Sequence, residues 1–237
     1  MSAILIDHVS FQYPNRSNQV IKDLSLSVKE HQLMAIIGKS GCGKSTLIRL
    51  IAGLLPSDNG CIEVKNGLKL GIVFQDPRLL PWKTVYENVE LAIRDEGYLQ
   101  RKQAILESLE LVGLTQVANY YPSELSGGMA QRAALARALV QSPDILLMDE
   151  PFGALDAITR TQIQVDFEKI QQSKRMTVIL ITHEVSEAVR LADQVVVFSN
   201  GQIEHSLAVD LPHPRSITDM SVVEYVAKVM NFLTLSK

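Results

Sequence analysis

This chain of 237 residues has few cysteines, little net charge and no histidines at the spacing of metal ligands. Its two cysteines, Cys42 and Cys61, cannot build a disulfide framework, so we expect a reducing compartment such as the cytosol. The five histidines are scattered without metal-ligand spacing, which argues against a zinc site. A formal net charge of -3 offers no basic field, and nucleic acid is therefore not expected as a partner.

Long apolar runs are also missing. No stretch approaches the roughly 18 uninterrupted apolar residues that favour a membrane-spanning helix. The first residues, MSAILIDHVSFQYP, place Asp7 where a signal peptide would have its apolar segment. We therefore expect a chain that is soluble by itself and long enough for one large domain or two small ones.

Four short apolar runs, separated by helical patterns, indicate an α/β protein. Three of the four runs are nearly continuous, as is typical of strands buried on both faces of a parallel sheet. The alternation of strand and helix predicts right-handed crossovers between the strands. The predicted strands lie at residues 33–38, 70–75, 144–150 and 176–184.

Two regions depart from this alternation. The N-terminal part alternates polar and apolar residues, which predicts an antiparallel β-subdomain. Residues 76–143 show only helical patterns, which predicts a helical subdomain inserted into the core. We therefore predict a single domain over residues 1–237, in which 1–75 and 144–237 supply the core and the β-subdomain.

The end of the chain carries two further signals. Asn200-Gly201 lies between apolar runs and predicts a β-hairpin. The last segment predicts an amphipathic helix, which we expect to pack on its own core, with a partner-binding surface as the alternative. The apolar face of this helix consists of Val222, Val226, Val229 and Leu233.

The stretch GKSGCGKST matches a phosphate-binding loop in full, and it lies between a predicted strand and a predicted helix. Glycines let such a loop wrap a phosphate, while its backbone N–H groups converge on the anion at a helix N-terminus. Lys44 can reach the β- and γ-phosphates, and the Ser45 hydroxyl can ligate Mg²⁺. The residues expected to contact the nucleotide here are Gly38, Lys39, Ser40, Gly41, Cys42, Gly43, Lys44, Ser45 and Thr46.

A second acidic motif, ILLMDE, ends a predicted strand. Asp149 would emerge at the carboxyl end of that strand, where a carboxylate can hold Mg²⁺ directly or through water. Glu150 is either an ordinary loop acid or a general base that polarises an attacking water. The complete phosphate loop favours the general base.

The stretch ELSGGMAQRAALARALVQSP predicts a helix that begins with an unfavourable sequence. Gly127 and Gly128 fall in its first turn, where each glycine costs about 1 kcal/mol relative to alanine. Ser126 precedes them. A bare backbone and a hydroxyl at a helix N-terminus suggest that something must approach this end closely.

Together these motifs resemble the ATPase subunit of an ABC transporter, over nearly the whole chain. GKSGCGKST resembles the Walker A motif of that family, ILLMDE its Walker B motif and LSGGM its signature. The resemblance further implies a Q-loop glutamine, a D-loop aspartate, a switch histidine and an aromatic that stacks on adenine. These four are matched by Gln75, Asp156, His183 and Tyr13.

The resemblance also accounts for the glycines at the helix start. It implies that two copies pack head to tail and that the signature helix of one copy caps the ATP held by the other. Gly127 and Gly128 would allow the backbone to approach the γ-phosphate, and the Ser126 hydroxyl would add a donor. It also implies that Gln75 joins Ser45 and Asp149 in binding Mg²⁺.

Structural alternatives stay open for several of these residues. Tyr13 could pack in a hairpin, His183 could cap the next helix and Gln75 could merely end a strand. Asp156 could be an N-cap, and Cys42 could be a small filler inside the loop.

Some residues resemble the branch of the family that imports nitrate, sulfonates and taurine. Met129 stands where the signature commonly ends in glutamine, and LLPWKTVYENV and LPHPRS also suit that branch. His213 departs from the arginine often found at its position. Leu80, Pro81 and Trp82 could form an apolar socket for a helix of the membrane subunit; alternatively, Trp82 packs between lobes.

The resemblance implies ATP hydrolysis that drives solute import through an integral membrane permease. The expected assembly is a homodimer at the cytoplasmic face of the membrane, with an extracytoplasmic solute-binding protein as an indirect partner. The alternatives are a soluble ABC ATPase acting in translation or DNA repair, and a regulatory nucleotide binder that does not hydrolyse ATP. Translation factors of this kind join two ATPase domains in one chain, and repair proteins of this kind insert long coiled coils. This sequence shows neither feature, which argues against both the translation and the repair alternative.

Overall fold

The structure is a computed structural model that describes residues 2–14, 17–93, 97–153 and 155–235. The chain divides into two units, the first made of residues 1–68 and 176–237 and the second of residues 69–175. In chain order the elements are β1 (Ser2–Phe11), β2 (Ile21–Lys29), β3 (Leu33–Ile37), α1 (Lys44–Ile51), β4 (Asn59–Val64), β5 (Leu70–Val73), α2 (Val85–Glu90), α3 (Tyr98–Leu111), α4 (Gly127–Leu139), β6 (Ile145–Asp149), α5 (Ala157–Lys174), β7 (Thr177–Thr182), α6 (Val185–Leu191), β8 (Gln194–Ser199), β9 (Gln202–Ala208) and α7 (Met220–Leu235).

The first unit contains an antiparallel sheet in the order β2-β1-β4. The predicted antiparallel character of the N-terminal part is therefore confirmed. Leu24 and Val28 point into the core of this unit, where they are 2% and 0% exposed. Strand β4 was not predicted, because its residues are mostly exposed and show no apolar pattern.

The first unit also contains strands β3, β7 and β8, in which β3 pairs in parallel with both of the others. Every residue of β3 and β7 is buried, as their continuous apolar sequences predict. The predicted hairpin is confirmed, since β9 runs antiparallel to β8 across Asn200-Gly201. Both turn residues have positive φ, 51° and 84°, as a two-residue hairpin turn requires.

The C-terminal helix α7 is confirmed as an element of the first unit. Val222 and Val229 are 2% and 0% exposed, so the predicted apolar face is partly buried against the same unit. The ring of Phe232 stacks on His205 of β9 at a centroid distance of 4.4 Å.

The second unit joins a parallel pair of strands, β5 and β6, to helices α2 to α5. Among its described residues between 76 and 143 every regular element is helical, as predicted. On α5, Ile163, Phe167 and Ile170 recur at helical spacing and are all at most 5% exposed, so they form the buried face of this helix. The second unit extends beyond residues 76–143 at both ends. A helical subdomain with those bounds therefore stays a prediction.

Candidate functional site

The loop between β3 and α1 is an open cradle made of backbone. Gly41 and Gly43 have φ of 79° and 114°, a region that favours glycine. Among the described residues other than Gly41 and its two chain neighbours, no heavy atom lies within 4 Å of the point where a Cβ on Gly41 would be. Helix α1 begins at Lys44 with no acidic residue in its first turn. The N–H groups in the first turn of a helix have no partner within the helix, so this helix end can receive an anion.

Two glycines hold this loop against the rest of the first unit. A Cβ on Gly38 would lie 2.0 Å from the carbonyl oxygen of Phe198, and one on Gly43 would lie 2.9 Å from that of Val20. These contacts leave no room for a side chain. The glycines of the motif thus serve close packing of the loop as well as access by a ligand.

Lys44 places its ammonium group inside the loop. The side chain is 5% exposed, and Nζ donates hydrogen bonds to the carbonyl oxygens of Gly38 at 2.8 Å and Lys39 at 3.0 Å. The Sγ atom of Cys42 lies 3.8 Å from the same Nζ. A positive charge is therefore fixed within the anion cradle, where a phosphate can replace the two carbonyls as its partner.

A cleft of 530 Å³ opens beside this loop and is lined by Gly41 and Cys42, together with Asn18 and Asn200. Its volume lies within the range of small-molecule sites. Tyr13 is half-buried, and its hydroxyl is 3.2 Å from Oγ1 of Thr46. The packing alternative for Tyr13 is supported by its edge-on contact with Phe11; stacking on adenine stays a prediction.

His183 is exposed and directly follows strand β7. The N-cap of the next helix is Glu184, and its own side chain makes no capping hydrogen bond. His183 is therefore not the N-cap residue of this helix. Its Nε2 lies 3.7 Å from Oε1 of Glu184.

In the second unit, two acidic residues follow one another at the end of β6. Asp149 is the last residue of that strand and is 6% exposed. Glu150 has φ of 46°, which is uncommon for a residue with a side chain and is often found at functional sites. Gln75 lies two residues beyond β5, and its Nε2 donates to Oε2 of Glu150 at 3.0 Å. The structure thus brings two predicted site residues together.

The signature helix α4 begins at Gly127, so both glycines do lie in its first turn. Ser126 is the N-cap, and its Oγ accepts a hydrogen bond from the Met129 N–H at 3.3 Å. A Cβ on Gly128 would lie 3.0 Å from Cγ2 of Thr159. A cleft of 680 Å³ is bordered by Ser126, Gly128 and Met129. An accessible helix N-terminus thus faces open space.

Asp156 is the N-cap of α5, as the structural alternative proposed. Its Oδ1 accepts the N–H groups of Ile158 at 3.1 Å and Thr159 at 3.0 Å. Hydrogen bonds from Thr159 hold the pKa of this carboxyl below its usual range. A D-loop role for Asp156 stays a prediction.

Helix α4 also holds the segment that carries Gln75, a link that the motifs did not predict. Gln131 donates to the carbonyl oxygen of Phe74 at 3.2 Å. Arg137 donates to the carbonyl oxygens of Pro77 at 2.6 Å and Arg78 at 2.8 Å. Burial, with a smaller effect of Arg78, lowers the pKa of the Arg137 guanidinium. Side-chain bonds to backbone carbonyls leave no periodic signal in a sequence.

Asn88 was also missed, and it fixes the loop before α2. Its side chain accepts from the Leu80 N–H at 2.7 Å and donates to the carbonyl oxygens of Leu80, Lys83 and Thr84. Asn88 itself is fully buried. Trp82 on this loop is 69% exposed, so it is not a buried packing residue between lobes.

Two findings concern ligands and membranes. Among the residues that the structure describes, no group of three or more His, Cys, Asp or Glu side chains could hold a metal ion. In the same described ranges, none of the helices combines the length and the apolar character needed to cross a bilayer.

Comparison with protein families gives one match, the ABC transporter family, over residues 21–153. An aliphatic sulfonates import ATP-binding protein of Shouchella clausii is 44% identical over 91% of this chain and 85% of that protein. One from Yersinia pestis is 42% identical over 96% of this chain and 84% of that protein. A nitrate import ATP-binding protein of Synechococcus elongatus is 42% identical over 98% of this chain but 38% of that protein.

Solved structures give the same fold. The dimeric, post-hydrolysis structure of the ATP-binding cassette MJ0796 bound to ADP and phosphate has a TM-score of 0.80. That chain is 30% identical in sequence, and the match covers 88% of the present chain and all of the other.

Proposed function

The chain belongs to the ABC transporter family, and on that premise we propose that it is the ATPase subunit of a solute importer. Two copies would bind ATP between them and hydrolyse it, and a separate membrane permease would carry the solute. The observation that carries the proposal is the open backbone cradle with the buried Lys44 ammonium fixed inside it.

Hydrolysis needs a nucleophile and stabilised charge on the transferred phosphoryl group. Glu150 is the proposed general base, which orients water in line with the γ-phosphate. Lys44 and His183 would stabilise the charge that spreads over the γ-phosphate oxygens. The hydrogen bond from Gln75 supports the assignment of Glu150, because it holds the carboxylate in one orientation.

Mg²⁺ is proposed to accompany ATP, with Ser45, Gln75 and Asp149 as its protein ligands. Their hydroxyl, amide and carboxylate oxygens are the donors that this ion prefers. When bound, the ion would neutralise charge on the β- and γ-phosphates.

The signature helix is proposed to complete the site of a second copy. Ser126, Gly127 and Gly128 would meet the γ-phosphate held by the Walker A loop of that copy, and Asp156 would lie at the same interface. The accessible N-terminus of α4 supports this role, since its N–H groups and dipole favour an anion. The ADP-bound structure of MJ0796 is itself described as dimeric.

The loop around Trp82 is the proposed docking site for the permease. Leu80, Pro81 and Trp82 would present an apolar surface to a helix of that protein, and Asn88 keeps the loop in one conformation. Docking of this kind would keep the subunit at the cytoplasmic face of the membrane without a span of its own.

The cargo is proposed to be a small anion such as an aliphatic sulfonate, taurine or nitrate, as the names of the relatives suggest. Deletion of the gene, with growth on each compound as sole sulfur or nitrogen source, tests this. We expect loss of growth on one of them, restored by the intact gene but not by its Lys44→Ala variant. Normal growth on all of them would contradict the proposed cargo.

A further inference from the structure

The turn that carries His183 lacks the usual support for a helix start. Strand β7 ends at Thr182, and helix α6 begins at Val185, so only two residues join them. The N-cap residue Glu184 makes no side-chain capping bond. Without another hydrogen bond in the turn, the backbone on either side of His183 would be held only by the end of β7 and the start of α6.

Thr182 supplies that bond together with Glu187. The Thr182 hydroxyl donates to Oε2 of Glu187, and its Oγ1 accepts the N–H of Glu184 at 3.0 Å. A hydroxyl can donate and accept at the same time, so both bonds coexist. Thr182 is 2% exposed and Glu187 is 6% exposed, which shields both bonds from competition by water.

This bonding restrains the residues on both sides of His183. Thr182 precedes His183 and is fixed through its side chain, while Glu184 follows and is fixed through its backbone N–H. The carboxylate of Glu187 lies in the first turn of α6, where the helix dipole favours a negative charge. His183 itself is exposed.

We propose that Thr182 and Glu187 are positioning residues for His183. The inference rests on the proposed function, in which His183 contacts the γ-phosphate. A displacement of about 1 Å at a reacting centre can cost about 100-fold in rate. The pair acts by holding His183 in the geometry that the reaction needs, and neither residue need touch the nucleotide.

Strand β7 offers a matched control at its other end. Thr177 is also 2% exposed, and its Oγ1 accepts a backbone N–H, that of His31, at 2.9 Å. Thr177→Val and Thr182→Val therefore remove the same chemical group from similar surroundings. The two variants differ in their distance from His183 along the strand.

The first experiment measures ATPase kinetics of these variants in the full chain. We expect Thr182→Val to lower kcat at least about tenfold with the KM for ATP within about twofold, whereas Thr177→Val keeps kcat within about twofold. Thr182→Ser should restore kcat, because it keeps the hydroxyl. Glu187→Gln, which keeps an acceptor oxygen, should lose less kcat than Glu187→Leu. Equal losses of kcat in Thr177→Val and Thr182→Val would overturn the inference.

A double-mutant cycle separates positioning from other roles. In a His183→Ala background, adding Thr182→Val should leave kcat unchanged, because there is no imidazole left to position. A further fall by the same factor as in the wild-type background would refute the proposal. If His183→Ala alone keeps full kcat, the role proposed for His183 fails and the positioning role fails with it.

Amide hydrogen exchange without nucleotide tests the bonding independently of the proposed function. Thr182→Val should speed exchange of the Glu184 N–H at least about tenfold, whereas Thr177→Val should leave it unchanged. Unchanged exchange in Thr182→Val would show that the turn does not depend on this pair.

Discussion

At the scale of single residues, Glu150 has the least ordinary backbone of the proposed catalytic residues. Its φ of 46° lies in a region that a side chain disfavours, and its carboxylate accepts a bond from Gln75 at 3.0 Å. A residue held in a strained conformation and hydrogen bonded at its carboxylate is restricted in orientation. That restriction suits a group whose proposed task is to align one water molecule.

Glu150→Gln should reduce ATP turnover at least about 100-fold, because the amide keeps the shape of the carboxylate but cannot take up a proton. ATP should still bind, and it should hold two copies together. Phosphate release measures turnover, and size-exclusion chromatography with ATP measures the dimer. Glu204→Gln, on the exposed face of β9, is the control. Rapid phosphate release by Glu150→Gln would reject the assignment of the base.

Alkylation of Cys42 should block ATP binding. Its Sγ lies 3.8 Å from Nζ of Lys44 inside the loop, so an adduct would occupy space that the phosphates need. A Cys61→Ser variant leaves Cys42 as the single thiol, and bound nucleotide should protect it from the reagent. The measurement is binding of a fluorescent ATP analogue before and after labelling. Full binding by quantitatively labelled protein would refute the prediction.

Residues inside contiguous motifs could be predicted from the sequence, because each motif has a fixed spacing and a chemical reason. Lys44 and Ser126 are examples: one lies within the loop, and the other is the N-cap of the signature helix. Thr182, Glu187 and Asn88 could not be predicted. Thr182 and Asn88 bond to backbone groups in turns, and Glu187 bonds to the Thr182 hydroxyl. Such bonds impose no period on the sequence.

At the scale of elements, the loop that carries Trp82 combines a rigid base with an exposed apolar tip. Its base is fixed by the four hydrogen bonds of Asn88, and Trp82 is 69% exposed. A loop that has a fixed conformation and an exposed apolar side chain is suited to binding another protein.

Trp82→Ala should weaken binding to the permease without harming the subunit. Since the side chain is mostly exposed, the free energy of unfolding should change by less than about 0.5 kcal/mol. ATPase activity of the isolated subunit should stay within about twofold, whereas its recovery with the membrane fraction should fall about tenfold or more. Tyr98→Ala on α3, with an aromatic ring that is 68% exposed, is the control. Equal losses in both variants would contradict docking at this loop.

Elements with a continuous apolar sequence were predictable, and the mostly exposed edge strand β4 was not. The buried residues of β3, β6 and β7 leave apolar runs in the sequence. Strand β4 has no buried residue, and its pairing with β1 depends on backbone hydrogen bonds to a partner more than 40 residues away along the chain, as for Ile4 and Val64. Nothing within NGCIEV itself indicates that partner.

At the scale of the whole molecule, the proposed catalytic site depends on a second copy. The Walker A loop of the first unit is an open cradle, and the signature helix of the second unit presents an accessible N-terminus. The motifs predicted both features from the sequence. The proposal that these two features meet across two copies is based on the family and on the ADP-bound dimer of a similar protein.

The specific ATPase activity of the purified subunit, measured over a wide range of protein concentration, tests this dependence most directly. A carrier protein keeps total protein constant, so that adsorption does not imitate dissociation. We expect activity per molecule to rise with concentration and to fall toward zero at high dilution, because a lone copy has no second copy whose signature helix can complete its site. Activity per molecule that stays constant down to the greatest dilution would contradict a shared site.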